Sequence, residues 1–81
     1  MKIEERVIKI IAEAIEVEGN KIDEDTAIGD FPNWDSMGQL VIITSLEKEF
    51  DIKFDPEDII SNLDYNSILS TLEVYLDEKN Q

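Results

Sequence analysis

The chain has 81 residues and a formal net charge of −13, from twenty acidic residues against seven basic ones. The absence of cysteine excludes disulfides and thiolate metal sites, and the scattered lysines and arginines argue against binding to nucleic acid or an anionic membrane. Apolar residues make up 42% of the chain, but no run approaches the ~20 residues that span a bilayer, and "MKIEERVIKI" has acidic residues within its apolar pattern, unlike a signal peptide. We therefore expect one small globular domain that is soluble, cytoplasmic and monomeric.

The first predicted helix covers residues 2–17. Apolar residues recur there at three- and four-residue steps with charged residues opposite, which is typical of an amphipathic helix. Gly19 and Asn20 are expected to end it, since both tolerate the left-handed backbone conformation. The loop that follows, residues 18–35, is long but contains four spaced apolar residues, Ile22, Ile28, Phe31 and Trp34. These residues can anchor the loop to a core, so we expect it to be ordered.

Three more helices are predicted, at about residues 36–50, 56–61 and 65–77. Asp35 is the expected N-cap of the first, and Asp55 followed by Pro56 marks the start of the second. The last helix begins near Asp64 and has one apolar face, formed by Tyr65, Ile68, Leu69, Leu72 and Leu76. Residues 77–81 look like a frayed tail. The predicted fold is a small all-α four-helix bundle, with three longer helices and one short helix in a single domain, residues 1–81.

The residues that usually perform catalysis are missing from this chain. It has neither histidine nor cysteine, so the commonest general base, the most reactive nucleophile and the usual transition-metal ligands are absent. The acidic stretch "DEDTAIGD" also fails the calcium-loop template, because Ala27 and Ile28 occupy positions that require an oxygen ligand and a glycine. The composition thus argues against an enzyme, and we expect no metal site.

The second helix is apolar on nearly all sides. A helical wheel places Ile42, Ile43, Leu46 and Phe50 on one face, which should fill the core. Met37, Val41 and Thr44 cluster on nearly the opposite face, and Leu40 lies at the border between the two. The second face is either covered by the long loop and the third helix or left exposed as a docking surface. Gln39 falls toward the core side and fits neither alternative well.

Ser36 is the first residue of this second helix if Asp35 is its cap. A phosphate group on its hydroxyl would lie at the positive end of the helix dipole, where an anion is stabilised by about 0.3–1 kcal/mol. Serine is also common at helix starts for capping reasons alone. The local residues by themselves leave both explanations open.

The stretch "WDSMGQLVIITSLEKEF" resembles the phosphopantetheine-attachment region of acyl and peptidyl carrier proteins, in which Asp-Ser-Leu or Asp-Ser-Met opens the second of four helices. The resemblance covers the whole chain, including "IKFDPEDI" and the final helix. It implies a bundle of the acyl-carrier-protein type. It also implies that a phosphopantetheinyl transferase moves 4′-phosphopantetheine from coenzyme A to Ser36, and that the resulting arm carries an acyl or aminoacyl group as a thioester.

The same resemblance implies roles for the neighbours of Ser36. Asp35 would cap the helix and be recognised by the transferase, and Met37, Leu40 and Val41 would contact the arm or partner enzymes. These partners would be a loading ligase and synthase or acyltransferase enzymes of fatty-acid, polyketide or related specialised biosynthesis, and the carrier itself would not be a catalyst. For Trp34 we expect packing in the core, with a place along the path of the arm as the alternative.

Two positions depart from the resemblance. Fatty-acid carriers usually have acidic residues at the positions of Gly38 and Val41, so the sequence indicates a specialised carrier that docks more by apolar contact than by ion pairs. "DSMG" also resembles D-alanine carriers, which keeps an aminoacyl cargo open. The remaining alternatives are a peptidyl carrier and an acidic helical adaptor that is never modified.

Overall fold

The computed structural model of the chain describes residues 2–80. It has four α-helices, α1 (Ile3–Ile15), α2 (Ser36–Phe50), α3 (Pro56–Ser61) and α4 (Tyr65–Lys79), and one 3-10 turn at Gly19–Lys21. Within residues 2–80 there is no β-strand, and the one isolated antiparallel bridge pairs Ala27 with Asp64. The predicted all-α bundle of three longer helices and one short helix is confirmed.

The core lies between α1, α2 and α4. Its most deeply buried helical side chains are Val7, Ile11, Ile15, Ile42, Ile43, Leu46, Ile68 and Leu72. The predicted core face of α2 is therefore correct, and Phe50 at its end is also buried. The second face of α2 is not covered by the loop or by α3, since Met37, Val41 and Thr44 are all exposed. Of the two alternatives for this face, the structure favours the exposed one.

The predicted end of α1 is wrong. The helix ends at Ile15 rather than at residue 17, and Glu16 adopts the left-handed conformation (φ 61°) that we expected at Gly19 or Asn20. The backbone N–H groups of Glu16 and Val17 both donate to the carbonyl of Ala12, and the Val17 side chain packs against the core. An apolar residue directly after the left-handed residue commonly accompanies this type of helix end. Burial of Val17 therefore stops the helix before the glycine is reached.

The loop between α1 and α2 is ordered, as predicted. Ile22 and Trp34 are buried, and Ile28 and Phe31 pack against the core. The loop is also joined to the start of α4, because the N–H of Ile28 donates to Leu63 O at 2.7 Å and the N–H of Tyr65 donates to Thr26 O at 2.9 Å. Both apolar anchors and backbone hydrogen bonds hold the segment that leads to Ser36.

Helix α3 has the predicted bounds, and both hydrogen bonds and partial packing of Ile59 against the core attach it to the bundle. None of its six residues is buried. Asp55 lies at the N-cap position, which agrees with the predicted helix start, but its side chain makes no capping bond; its N–H donates to the Tyr75 hydroxyl at 3.0 Å. The same hydroxyl donates to Asp58 at 2.5 Å. Tyr75 of α4 thus joins the first residues of α3 to α4.

The predicted frayed tail is wrong over its described part. Helix α4 continues to Lys79, two residues beyond the predicted end at 77. The Lys79 ammonium donates to the backbone carbonyls of Phe50 and Asp51, at 3.2 and 2.9 Å, and pairs with the Asp51 carboxylate. A cation at the end of α2 is stabilised by the unpaired carbonyl groups and the helix dipole. This contact between two helix ends extends α4; Gln81 lies outside the described residues.

Candidate functional site

Ser36 is the first residue of α2, and its side chain is exposed. Asp35 precedes it in an extended conformation, and the Asp35 carboxylate accepts a hydrogen bond from the N–H of Gly38 at 2.8 Å. The backbone carbonyl of Asp35 accepts from the N–H of Gln39 at 2.9 Å. The predicted cap is therefore present. It holds the first turn of α2 in place and directs the positive end of the helix dipole toward the Ser36 position.

Gly38 is required by the packing of the loop that precedes Ser36. It is buried, and a Cβ atom at this position would lie only 1.9 Å from the backbone oxygen of Asn33. Asn33 cannot easily move away, because its side-chain amide donates to Ile15 O at 3.2 Å and to the Glu16 carboxylate at 3.0 Å. The absence of an acidic residue at position 38 thus has a steric cause. From the sequence we interpreted Gly38 as a sign of changed partner enzymes, but the contact with Asn33 is enough to explain the glycine.

Three apolar side chains surround Ser36 on the exposed face of α2. Met37 is 74% exposed, Leu40 54% and Val41 48%. We call these three residues the apolar face of α2. The structure therefore brings together every residue that the sequence singled out for the site, Asp35, Ser36, Met37, Leu40 and Val41, within two turns of one helix. An exposed apolar group of this kind is suited to contact with another molecule.

A cavity of about 380 Å³ opens directly beside Ser36. Its lining comes from α2, from α3, from Leu63 shortly after α3, and from the loop: Ile28, Ser36, Gln39, Leu40, Ile59, Ile60 and Leu63. Five of these seven residues are aliphatic, so the wall is mostly apolar, and Ser36 and Gln39 are its two polar members. Trp34 does not line the cavity and is buried in the core, which confirms the core interpretation of this residue.

Gln39 connects the cavity wall to the core and to α3. Its side-chain oxygen accepts from the indole N–H of Trp34 at 2.9 Å, and its amide donates to Asn62 O at 2.7 Å and to Ile59 O at 3.2 Å. We call these three hydrogen bonds the Gln39 bridge. Leaving one such buried group unpaired costs roughly 1–3 kcal/mol. The bridge explains why a polar residue lies on the core side of α2.

Beyond Gln39 the polar contacts continue to α4. The Asn62 side chain donates to Asp58 O at 2.7 Å and accepts from the Thr71 hydroxyl at 2.9 Å. The loop, α2, α3 and α4 are therefore joined by one chain of hydrogen bonds that passes beneath the cavity wall. This network was missed in the sequence, where the one signal for it was the unexplained position of Gln39.

The titratable groups with a raised pKa lie elsewhere. Burial, and then the Asp58 hydrogen bond, raise the pKa of Tyr75 to about 12, and burial raises the pKa of Tyr65. Neither tyrosine lines the cavity. Among residues 2–80, no three acidic side chains come together in a way that could hold a metal ion. Nor does any helix in that range have the length and apolar character needed to cross a bilayer.

Comparison with known proteins gives a consistent result. Residues 5–73 match the family described as phosphopantetheine attachment site. The chain belongs to this family. Acyl carrier proteins from three strains of Buchnera aphidicola subsp. Acyrthosiphon pisum (Tuc7, 5A and APS) are each 39% identical to it over 56 residues, which is 69% of this chain and 70% of theirs. The predicted family, the acyl-carrier function and the 4′-phosphopantetheine cofactor are confirmed.

The residues at the start of α2 suit such a covalent group. Attachment requires a hydroxyl that a transferase can reach, and Ser36 is exposed. The phosphate of the arm requires a site that tolerates negative charge, and the first turn of a helix offers free N–H groups and the positive end of the dipole. An apolar cavity lies next to this position.

Proposed function

We propose that Ser36 is the attachment site of the arm and that residues 1–81 form one carrier domain. The observation that carries this proposal is the position of Ser36. Its exposed hydroxyl begins α2 directly after the Asp35 cap, inside the segment that matches the phosphopantetheine-attachment family. In the attachment reaction the hydroxyl loses its proton and attacks the phosphorus atom next to the pantetheine part of coenzyme A. The pyrophosphate bond breaks, adenosine 3′,5′-bisphosphate leaves, and the arm is joined to Ser36 through a phosphodiester. The arm, once attached, supplies a thiol that holds the cargo as a thioester.

The remaining roles are assigned to residues around Ser36. Asp35 fixes the first turn of α2 through its bond to Gly38 and is recognised by the phosphopantetheinyl transferase. Met37, Leu40 and Val41 form the surface that partner enzymes contact. These partners are a ligase that loads an acyl or aminoacyl group and the synthase or acyltransferase that receives it, in fatty-acid, polyketide or related biosynthesis. The carrier acts as a cytoplasmic monomer and contributes no catalytic group of its own.

The apolar face of α2 supports a specialised set of partners. Carriers that dock by ion pairs depend on acidic side chains near the modified serine, and this chain has Val41 at one such position, 48% exposed. With the glycine at position 38 explained by the Asn33 contact, Val41 is the departure that bears on recognition. We infer that apolar contact at Met37, Leu40 and Val41 replaces part of the usual electrostatic docking.

The attachment site can be tested by intact-mass measurement. Purified protein is incubated with coenzyme A and a broad-specificity phosphopantetheinyl transferase, and the wild type should gain the mass of one phosphopantetheine group. Ser36→Ala should gain nothing. Ser61→Ala, which removes another exposed serine of the matched segment, should be modified like the wild type. Modification of Ser36→Ala, or none of the wild type, would sink the proposal.

Two alternatives differ in their predicted cargo and chemistry. "DSMG" keeps a D-alanyl or peptidyl carrier open, and loading with amino acids against fatty acids by the native ligase would distinguish these cargoes. The exposed apolar face of α2 would also serve an adaptor that binds a partner without modification. An unmodified mass in the native host, with partner binding unchanged in Ser36→Ala, would favour the adaptor.

A further inference from the structure

The cavity beside Ser36 has one polar wall residue that is itself bonded to the core. Gln39 lines the cavity, is 4% exposed, and joins Trp34 on the loop to the backbone of α3. The other residues contributed by α2 to the lining, Ser36 and Leu40, are exposed. For the cavity to extend toward the core, the Gln39 side chain would therefore have to be displaced.

An alkyl chain cannot replace the bonds that Gln39 makes. Passage of such a chain between α2 and α3 would separate the Gln39 amide from Asn62 O and Ile59 O. No atom of the chain could donate to these carbonyls, and burying one more methylene group stabilises less than an unpaired buried polar group costs. Opening the bridge would leave the Gln39 amide and both carbonyls without partners at the same time, so we expect its cost to exceed the gain from the carbons of the longer chains.

Helix α3 depends on these same bonds. None of its six residues is fully buried and Ile59 packs only partly against the core, so polar contacts, among them the two that Gln39 makes, contribute to its position beside α2. If apolar packing alone held α2 and α3 together, the two helices could separate gradually and lose their contacts in part. A hydrogen-bonded bridge gives an abrupt boundary instead, since its bonds weaken steeply with distance and angle.

We propose that Gln39 sets the upper limit on the length of acyl chain that this carrier shelters. Short chains occupy the cavity beside Ser36, and the additional carbons of longer chains stay outside the bundle, where they are available to partner enzymes. Gln39 is a specificity-determining residue in this sense. The proposal rests on attachment at Ser36, because only a tethered chain is held at high effective concentration next to the cavity.

The test uses a series of loaded carriers. A phosphopantetheinyl transferase and acyl-coenzyme A donors load acetyl, butyryl, hexanoyl, octanoyl, decanoyl and dodecanoyl groups, and intact mass verifies each product. A carrier that gains no mass on incubation bears only on the attachment proposal, and it is left out of this series. A tethered chain that binds the native state raises the melting temperature. We expect this temperature to rise with length and to level off by hexanoyl in the wild type.

Trp34 provides an independent measurement. It is the only tryptophan of the chain, so its indole N–H gives a single cross-peak in a 1H–15N spectrum, and that N–H is bonded to Gln39. We expect the wild-type cross-peak to keep its position from acetyl to dodecanoyl. A cross-peak that moves at long chain lengths, together with a melting temperature that continues to rise to dodecanoyl, would overturn the proposal.

Two alanine substitutions in the cavity wall distinguish the effect of the Gln39 bridge from the effect of cavity volume. Gln39→Ala enlarges the cavity and removes the bridge, and in this variant the melting temperature should continue to rise through dodecanoyl. Ile60→Ala enlarges the cavity but leaves the bridge and the apolar face of α2 intact, and it should keep the wild-type limit. Equal behaviour of the two variants, or a melting temperature independent of chain length throughout, would contradict the proposal. If Gln39→Ala does not fold, the wild-type series and its Trp34 cross-peak decide.

Discussion

The indole N–H of Trp34 donates a hydrogen bond to Oε1 of Gln39 across 2.9 Å, and both side chains are almost completely buried. The two residues lie on either side of the Asp35 cap and Ser36, so their bond closes the turn that carries the site. Trp34 anchors this turn to the core, while Gln39 extends the connection to α3. The position of Ser36 is therefore determined by a buried polar contact as well as by apolar packing.

Trp34→Phe should destabilise the protein through this contact. The substitution removes the donor, leaves Oε1 of Gln39 unpaired and creates a small void, so we expect the free energy of unfolding to fall by about 2 kcal/mol or more. Urea denaturation followed by far-ultraviolet circular dichroism measures the change, because the only tryptophan is lost.

A double-mutant cycle with Gln39→Met tests whether the hydrogen bond is the cause. Methionine removes the partner while keeping a side chain of similar length. The loss in Trp34→Phe with Gln39→Met should be smaller than the sum of the single losses, by about 0.5–3 kcal/mol. Additive losses would show that the bond contributes nothing of its own.

Gly38→Ala should be destabilising even though alanine is the better helix former. The new Cβ would lie 1.9 Å from Asn33 O, and the loop would have to shift, which typically costs about 1–3 kcal/mol. Gly19→Ala is the matched control, since its Cβ would lie 3.6 Å from the Ile8 side chain and its stability should change by less than about 0.5 kcal/mol. Thermal and urea unfolding of both variants provide the comparison, and equal stability would refute the steric explanation.

The Tyr75 phenol should lose its proton at a higher pH than an ordinary tyrosine. Burial and then the hydrogen bond to Asp58 together raise its pKa from 10.0 to about 12. Because the folded protein holds the phenol proton more tightly than the unfolded chain, this contribution to stability is complete below pH 10 and is lost as the pH rises through 12. Phenolate absorbance, recorded together with helix content, follows the titration.

Asp58→Asn provides the test of the cause. It removes the charged acceptor of the Tyr75 hydroxyl, so the pKa of Tyr75 should decrease, while Tyr65, whose pKa is raised mainly by burial, serves as the internal reference. An unchanged Tyr75 titration in Asp58→Asn would show that the hydrogen bond does not contribute to its pKa.

Val41→Glu should change partner choice without changing stability. The side chain is 48% exposed, so the free energy of unfolding should shift by less than about 0.5 kcal/mol. We expect better use by general fatty-acid enzymes and slower transfer with the native partner, as an acid replaces part of the apolar face of α2. Val74→Glu, on an exposed valine of α4, is the control and should change neither the free energy of unfolding nor the choice of partner enzyme. Unchanged transfer in Val41→Glu, or the same change in both variants, would argue against apolar docking at this face.

Local patterns predicted most of the fold. The spacing of apolar residues identified the three longer helices, and the Asp55–Pro56 signal identified the short one. The Asp35 cap gave the start of α2 correctly because a side-chain cap acts within three residues. Errors occurred where a distant residue intervened. Val17 packs on the core directly after the end of α1, and Lys79 at the end of α4 binds the end of α2.

The sequence by itself determined the helical class, the order of the elements and the position of Ser36 at the start of α2, since these depend on short-range periodicity and capping. Only the tertiary structure showed that Gly38 is required by Asn33, that the apolar face of α2 stays exposed, and that Gln39 connects Trp34 to α3 beside a cavity. These features join segments that are separate along the chain. Their contacts arise from how the loop and helices pack, which no local pattern specifies.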